Sequence, residues 1–110
     1  MFNIYLVSSE VNGQLLHKIG YTRRSIEKRI KEFKTGNASE FLIVDSFQSK
    51  WGTKIESQLH RIFKTKKVSG EWFLLTDDDV KSFKEYCVTI HDNFEIISTQ
   101  NTYYIDRGDF

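Results

Sequence analysis

The sequence predicts a single α+β domain over residues 1–110, built on a small and mostly antiparallel sheet. Two segments with alternating apolar side chains flank an Asn-Gly pair, which is typical of a hairpin. Two later segments repeat apolar residues at helical spacing, and a short apolar run separates them. We therefore expect a central three-stranded sheet flanked by helices, followed by a short C-terminal helix and a β-like extension.

The first two strands are predicted at residues 2–8 and 15–21. Both runs are rich in β-branched, aromatic and other apolar residues that alternate with polar ones. Asn12 and Gly13 lie between them, and this pair accepts the backbone angles that a tight hairpin turn requires. The chain should therefore begin with an antiparallel pair of strands.

The first helix is predicted to begin at Ser25 and to end at the pair Gly36-Asn37. Three apolar residues at positions i, i+4 and i+7 form its inner face: Ile26, Ile30 and Phe33. The outer face is basic and consists of Lys28, Arg29, Lys31 and Lys34. Such a face suits a polyanionic partner, although many solvated helices look the same.

A buried strand over residues 40–47 and a second helix over residues 51–63 follow. The strand is a mostly apolar run of strand length. The helix has an apolar stripe made of Trp51, Ile55, Leu59 and Ile62. Glu56 and His60 stand four residues apart, so both lie on one face of this helix beside the stripe.

The last third of the chain is predicted to hold a short strand at 71–75, a helix from Thr76, and two short β segments within 94–106. Thr76 and Asp79 have the spacing of a capping box. Cys87 is the only cysteine, so it makes neither an internal disulfide nor a thiolate metal site. Its helical spacing indicates a small core residue.

The charge distribution is uneven. Residues 1–75 carry 13 Lys and Arg against 7 Asp and Glu, whereas residues 76–110 carry 3 against 8. A basic body with an acidic tail favours a polyanionic partner on the first two-thirds of the chain. The sequence shows no apolar span of membrane-crossing length and no targeting leader, so we expect no membrane association and a cytoplasmic protein.

Several enzyme classes are excluded by the absence of their motifs. The sequence has no phosphate-binding P-loop, no dinucleotide-binding glycine fingerprint and no metalloprotease helix, and its three histidines lack metal-ligand spacing. What remains is a tyrosine in the first strand (Tyr5), a Gly-x-Thr turn after the second, a helical Arg29 and a helical Glu56. These are the groups that a metal-assisted phosphodiesterase needs.

The spacing of these groups resembles the GIY-YIG endonuclease superfamily, in particular its phage and fungal branch with KIG as second motif. NIY at 3–5 stands in the place of GIY, and KIGYT at 18–22 in the place of YIG-x-Thr. Three further segments match: RRSIEKRI resembles the helix with the family's arginine, ESQLHRIF the helix with its metal-binding glutamate, and SGEWFLL the closing strand. The resemblance covers residues 2–76 and implies a nuclease core there, with no resemblance over 77–110.

The resemblance implies a role for each matching residue. Glu56 would hold a single Mg²⁺ or Mn²⁺, a cation that prefers oxygen ligands. Arg29 would bind the scissile phosphate through its two-pronged guanidinium. Tyr5 would place its hydroxyl at the metal site, where it orients the attacking water or helps to deprotonate it. The structural alternatives are a surface carboxylate, a solvated cation and a packed aromatic ring.

Two departures from the family leave the general base open. Asn3 replaces the first glycine, and Lys18 replaces the second-motif tyrosine that several members use as base. Lys18 serves as a base only if burial or a neighbouring cation lowers its pKa by several units. Otherwise the base is Tyr5, the adjacent Tyr21 or a hydroxide on the metal. His60 is either a proton-transfer or supporting group or a histidine packed on a neighbouring aromatic residue, with Trp72 and Phe63 as the candidates.

DNA is the expected partner. Four further cations would follow the phosphate backbone, with little reading of bases: Arg23, Arg24, Lys28 and Lys31. The main hypothesis is a metal-dependent DNA endonuclease, and sequence specificity would come from loops, a homodimer or a partner protein. The alternatives are a catalytically weakened nucleic-acid-binding or phage accessory protein of the same fold, and a protein-binding role centred on the aromatic segment 94–104.

Overall fold

The computed structural model describes residues 1–33 and 40–100. The chain folds as an α+β domain around one five-stranded antiparallel sheet, with the strand order β3-β1-β2-β5-β4. The strands are β1 (Phe2–Val11), β2 (Gln14–Thr22), β3 (Leu42–Ser49), β4 (Lys67–Ser69) and β5 (Trp72–Phe73). The helices are α1 (Ile26–Ile30), α2 (Gly52–Ile62) and α3 (Asp77–Gln100), and a single 3₁₀ turn spans Lys64–Lys66. The α+β class and the antiparallel pairing are confirmed.

The predicted hairpin is confirmed, and its turn explains why Asn and Gly occupy it. Asn12 has a φ of 52° and Gly13 a φ of 78°, so both lie in the left-handed region. A two-residue turn with positive φ at both positions has a twist that matches the flanking strands. The register pairs Tyr5 with Gly20 and Val7 with Lys18, which fixes the side chains that share a face of the sheet.

The predicted sheet of three strands is too small. β4 and β5 form a short hairpin that adds two strands beyond β2. β5 covers only Trp72–Phe73 of the predicted strand 71–75, and β4 lies in a stretch that reads as a basic loop. Strands of two and three residues are too short to show an alternating pattern, so the sequence does not reveal their pairing.

The two faces of the sheet carry separate apolar clusters because strand side chains alternate. One face packs on α2 and α3 through Ile4, Leu6, Ile19, Ile55, Leu59, Phe63, Phe73, Phe83, Cys87 and Ile90. The other face packs on α1 through Tyr5, Val7 and Ile26, with Ile30, Phe33 and Phe41 partly buried around them. Cys87 is fully buried, as expected, and burial raises the pKa of its thiol to about 12.

The first helix is shorter than predicted. Ser25 caps it as expected, since its side chain accepts a hydrogen bond from the Lys28 amide. The helix ends at Ile30, and the next amides bond three residues back, from Glu32 to Arg29 and from Phe33 to Ile30. The predicted end at residues 36–37 and the predicted outer-face residue Lys34 lie outside the described residues.

The second helix is confirmed, and β3 begins and ends two residues later than predicted. The expectation that this strand is buried is wrong, because β3 forms an edge of the sheet and its first three residues, Leu42, Ile43 and Val44, are exposed. The capping box at the start of α3 is also confirmed. The Asp79 amide bonds to the Thr76 hydroxyl at 3.1 Å, and the Thr76 amide bonds to the Asp79 carboxylate at 2.9 Å. Lys66 binds the same carboxylate and thereby links the segment before β4 to α3.

The prediction of β segments within residues 94–106 is wrong for the part that the structure describes. α3 runs without a break over 24 residues to Gln100. Phe94 continues the helical face of Ile90 and packs on the same cluster, and this packing outweighs the β propensity of the Ile-Ile-Ser-Thr stretch. Residues 101–106 lie outside the described residues. Within the described part of the chain, no helix combines the length and the apolar content that crossing a membrane requires.

Candidate functional site

The candidate site lies along one edge of β2. β5 pairs with this edge only at His17 and Lys18, and one further bond joins the Ile19 amide to the Glu71 carbonyl at 3.4 Å. Beyond Ile19, none of the strands in 1–33 and 40–100 covers this edge. Side chains from both faces of the sheet meet there, and they come from elements far apart in sequence: Tyr5, Lys18, Arg29, Glu56, His60 and Glu71.

Gly20 lets the phenol of Tyr5 cross β2. Tyr5 is 1% exposed, and its ring lies directly over the residue with which its backbone pairs. A Cβ atom on Gly20 would lie 2.4 Å from the Tyr5 hydroxyl oxygen and 2.6 Å from Cζ. Both distances are too short for real atoms, so the close approach of the ring, and not an unusual φ, requires glycine here.

Replacing Gly20 with alanine should therefore destabilise the fold through Tyr5. The added methyl group forces the ring from its place, and overpacking of this kind costs about 1–3 kcal/mol. Chemical denaturation of Gly20→Ala, Tyr5→Leu and the double variant measures this as a coupling energy. Leucine lacks the ring atoms that the methyl group meets, so the alanine should cost little in that background. An equal cost in both backgrounds would show that Tyr5 is not the reason for the glycine.

Tyr5 is held as a neutral phenol. Burial raises the pKa of its hydroxyl, and the negative charges of Glu71 and Glu56 raise it further, whereas hydrogen bonding to Arg29 opposes the shift. Because burial is the largest of these effects, the ionised form is disfavoured. In this environment Tyr5 can donate or accept a hydrogen bond, and it does not supply a preformed phenolate.

His60 connects α2 to β2. Its Nε2 atom lies 2.9 Å from the Ile19 carbonyl oxygen, so this nitrogen carries a proton and donates. The same nitrogen lies 3.7 Å from a carboxylate oxygen of Glu56, and the ring stands edge-on to Phe73 at 4.9 Å. His60 therefore ties α2 to β2, and its imidazole lies beside the Glu56 carboxylate at this edge. Its aromatic neighbour here is Phe73, whereas the sequence had suggested Trp72 or Phe63.

Glu71 is a site residue that the sequence does not single out. One potential ligand atom from each of Glu56, His60 and Glu71 lies within 4.8 Å of the others. Burial raises the pKa of Glu56, His60 opposes this, and the charge of Glu71 raises it further. Two carboxylates at close range are the donor set that Mg²⁺ or Mn²⁺ prefers, and a cation would offset their repulsion. The residues present therefore fit a divalent cation.

Lys18 sits inside the site as a paired cation. Its ammonium lies 3.5 Å from a Glu71 carboxylate oxygen and 4.5 Å and 5.5 Å from the ring centres of Phe33 and Trp72. A neighbouring carboxylate and two aromatic rings stabilise the charged ammonium. That form has no lone pair with which to accept a proton.

Arg29 reaches the site from α1 and is already engaged. Its guanidinium donates to Glu32 at 2.9 Å and interacts with the Tyr5 hydroxyl. Arg24 pairs with the other oxygen of Glu32. Hydrogen bonds from Arg24, which has the larger effect, and from Arg29 hold the pKa of Glu32 below its usual range. The Glu32 carboxylate is thus bound to both guanidinium groups that the resemblance assigns to phosphate. The sequence does not indicate this contact.

The remaining predicted residues surround the site at different distances. Tyr21 lies on the opposite face of β2 from Gly20 and Lys18, with its ring edge-on to Phe2 at 5.5 Å. Arg23 lies over the same Phe2 ring at 4.7 Å. The exposed cations of this region are Arg23, Arg24, Lys28 and Lys31. The structure thus places a basic surface beside the cluster. It puts Tyr21 on the face of β2 that packs on α2, with its ring against Phe2.

The unusual Asn3 and the motif threonine organise the loop before α1. The side-chain amide of Asn3 donates to the backbone carbonyl of Arg24 at 2.9 Å. The backbone amide of Arg24 donates to the Thr22 hydroxyl at 3.1 Å. These bonds fix the chain between β2 and α1. They thereby set where α1 delivers Arg29.

Comparison with known families gives one result. The family model described as the T5orf172 domain matches residues 3–88, from the first strand into α3. The match contains every residue of the cluster and extends beyond residue 76, where the resemblance in the sequence ends. Comparison with curated proteins and with solved structures gave no match. The chain belongs to the T5orf172 domain family, which is phage-associated.

Proposed function

We propose that this protein is a divalent-metal-dependent endonuclease of the GIY-YIG type that hydrolyses phosphodiester bonds in DNA. The observation that carries the proposal is the convergence of Tyr5, Arg29 and Glu56 at the open edge of β2, although they lie on β1, α1 and α2. A hydroxyl, a guanidinium and a carboxylate at one place are what hydrolysis of a phosphodiester requires. Membership of a phage-associated family is consistent with such a role.

Glu56 would hold the Mg²⁺ or Mn²⁺ ion, and His60 would keep its carboxylate in place. When bound, the ion supplies charge stabilisation for the reacting phosphate and acidifies water. Arg29 would leave Glu32 and bind two phosphate oxygens. Because its guanidinium also interacts with the Tyr5 hydroxyl, this contact aligns the phosphate with the phenol.

The environments of Tyr5 and Lys18 determine what each side chain can contribute to hydrolysis. Lys18 is paired with Glu71 and lies against two aromatic rings, so we assign it to charge stabilisation and not to base catalysis. Tyr5 is neutral, so we assign its hydroxyl to orienting the attacking water. The position of Tyr21 on the opposite face makes it the weaker candidate.

The basic surface beside the cluster would bind the DNA backbone, with Glu32 as a competitor for phosphate. Replacing Glu32 with glutamine should strengthen binding to duplex DNA by about threefold to tenfold at low salt, because it frees Arg24 and Arg29. The gain should shrink as salt rises. Fluorescence anisotropy across a salt series measures this, with Glu10→Gln as a control at the far end of the β1–β2 hairpin. Unchanged or weaker binding would argue against phosphate contact at these arginines.

The proposal is tested by a cleavage assay on a panel of plasmid, linear duplex, single-stranded and branched DNA. Each substrate is incubated with Mg²⁺, Mn²⁺ or EDTA. We expect products with at least one substrate in the presence of metal and none with EDTA. If no substrate is cut while salt-sensitive binding persists, the protein is a binding module, and the replacement of the motif tyrosine by Lys18 explains the lost activity.

A further inference from the structure

We propose that Glu71 is a second carboxylate ligand of the catalytic cation, and that Lys18 controls this ligand by holding it as an ion pair. The inference rests on the proposed function and deepens it. The Glu71 carboxylate would have two alternative partners. It would pair with Lys18 when the site holds no cation and would bind the cation when one is present. Lys18 would then act as a positioning residue for the metal site.

The backbone fixes where Glu71 stands. Its backbone carbonyl accepts a hydrogen bond from the Ile19 amide, and the next residue, Trp72, pairs with Lys18 in the sheet. Glu71 therefore lies at the point where β5 leaves the edge of β2. From there its carboxylate comes within 4.8 Å of ligand atoms on Glu56 and His60 and within 3.5 Å of the Lys18 ammonium.

The chemistry of the three groups selects the carboxylates as ligands. The Nε2 atom of His60 donates to the Ile19 carbonyl, so it has no lone pair to offer a cation. Glu56 and Glu71 each carry oxygen lone pairs, and oxygen is the ligand type that Mg²⁺ and Mn²⁺ prefer. With Lys18 included, the two carboxylates leave the site one negative charge, which a divalent cation more than balances.

Lys18 and the cation compete for the same carboxylate. The Lys18 side chain is 14% exposed, and its ammonium lies near the Phe33 and Trp72 rings, so it remains close to Glu71. Arrival of the cation must weaken this ion pair, which lowers the apparent affinity for metal. The same event releases the ammonium toward the substrate phosphate. Lys18 thus links metal binding to phosphate binding.

The test is the Mn²⁺ affinity of the full chain without DNA, measured by electron paramagnetic resonance. Wild type is compared with Glu56→Gln, Glu71→Gln, Lys18→Met and the Glu71→Gln/Lys18→Met double variant, and circular dichroism checks folding. We expect Glu71→Gln to weaken binding by about tenfold or more. Lys18→Met should tighten binding by about threefold to tenfold, because methionine keeps the volume and removes the competing charge. In the Glu71→Gln background, Lys18→Met should have almost no effect.

The outcomes separate the two proposals. If Glu56→Gln loses Mn²⁺ but Glu71→Gln binds it as wild type does, the role of Glu71 is wrong and the nuclease proposal stands. If Lys18→Met tightens binding equally in both backgrounds, Lys18 acts by general repulsion and does not share Glu71. If the wild type shows no metal-dependent cleavage of any substrate, the proposed function is wrong instead. If Glu71→Gln does not fold, Lys18→Met alone decides, since unchanged or weaker Mn²⁺ binding contradicts the competition.

Discussion

Replacing Tyr5 with phenylalanine is expected to slow DNA cleavage by about 10²-fold, the order of loss expected when a reacting group is no longer held in position. The ring stays, so it still packs over Gly20 and against the Phe33 ring, whose centre lies 6.0 Å from its own. Only the hydroxyl is lost, and with it the partner of Arg29 and of the attacking water. Single-turnover rates at saturating protein measure the loss independently of DNA binding.

Tyr21→Phe is the matched control for Tyr5→Phe. Tyr21 is the neighbouring tyrosine, but it lies on the other face of β2 and is 39% exposed. Its hydroxyl should contribute less than about twofold to the rate, because a group must reach the reacting proton to assist its transfer. If instead Tyr21→Phe abolishes cleavage and Tyr5→Phe does not, the water is activated on the face of β2 that packs on α2, and the role of Tyr5 is wrong.

Replacing Arg29 with alanine is expected to reduce cleavage by about 10²- to 10³-fold, as when one donor to a developing charge is removed. Arg29 is the residue of α1 whose guanidinium interacts with the Tyr5 hydroxyl, so its loss would remove the proposed phosphate ligand and free the phenol. Arg29→Lys should recover only part of the rate, since an ammonium cannot bind two phosphate oxygens in the same plane. Single-turnover cleavage measures these rates as well.

Arg23→Ala is the control that separates catalysis from DNA binding. Arg23 is exposed, and its guanidinium lies over the Phe2 ring at 4.7 Å. This substitution should weaken binding and lower its salt dependence, while the rate at saturation stays nearly the same. If Arg29→Ala behaved in the same way, Arg29 would be one more backbone contact and not a clamp on the scissile phosphate.

Local sequence patterns predict the elements whose structure is decided locally. The β1–β2 hairpin follows from alternation and its Asn-Gly turn, and α2 follows from one apolar stripe. The capping box of α3 is likewise a four-residue pattern. In each of these cases the residues that determine the structure are neighbours in sequence.

The elements that the sequence mispredicts depend on distant contacts. β4 and β5 exist because they extend the edge of β2. The C-terminal half of α3 is helical because Phe94 and Ile90 pack on the core, although the stretch around Ile96 favours strands by composition. A pattern within one segment carries no information about the surface that the segment meets.

The candidate site divides in the same way. The resemblance to a known motif directs attention to Tyr5, Arg29 and Glu56, and the structure brings these together. Glu71 lies in the segment SGEWFLL that resembles the closing strand, but that resemblance assigns it no role, because it reaches the site only where β5 meets β2. Glu32 contacts Arg24 and Arg29 because α1 ends at Ile30 and the chain turns there. The spacing of the apolar residues predicts a longer helix, so it does not indicate this contact.

The decisive measurement is single-turnover cleavage by Glu56→Gln in the presence of Mn²⁺, beside wild type with Mn²⁺ and with EDTA. Glutamine keeps the size of the side chain and removes the charge that would hold the cation, and Glu85→Gln on the exposed side of α3 is the matched control. We predict that Glu56→Gln, while folded and binding DNA, forms no more product than wild type in EDTA, and that Glu85→Gln cleaves normally. Cleavage by Glu56→Gln at the wild-type rate would contradict a metal-dependent nuclease centred on this carboxylate.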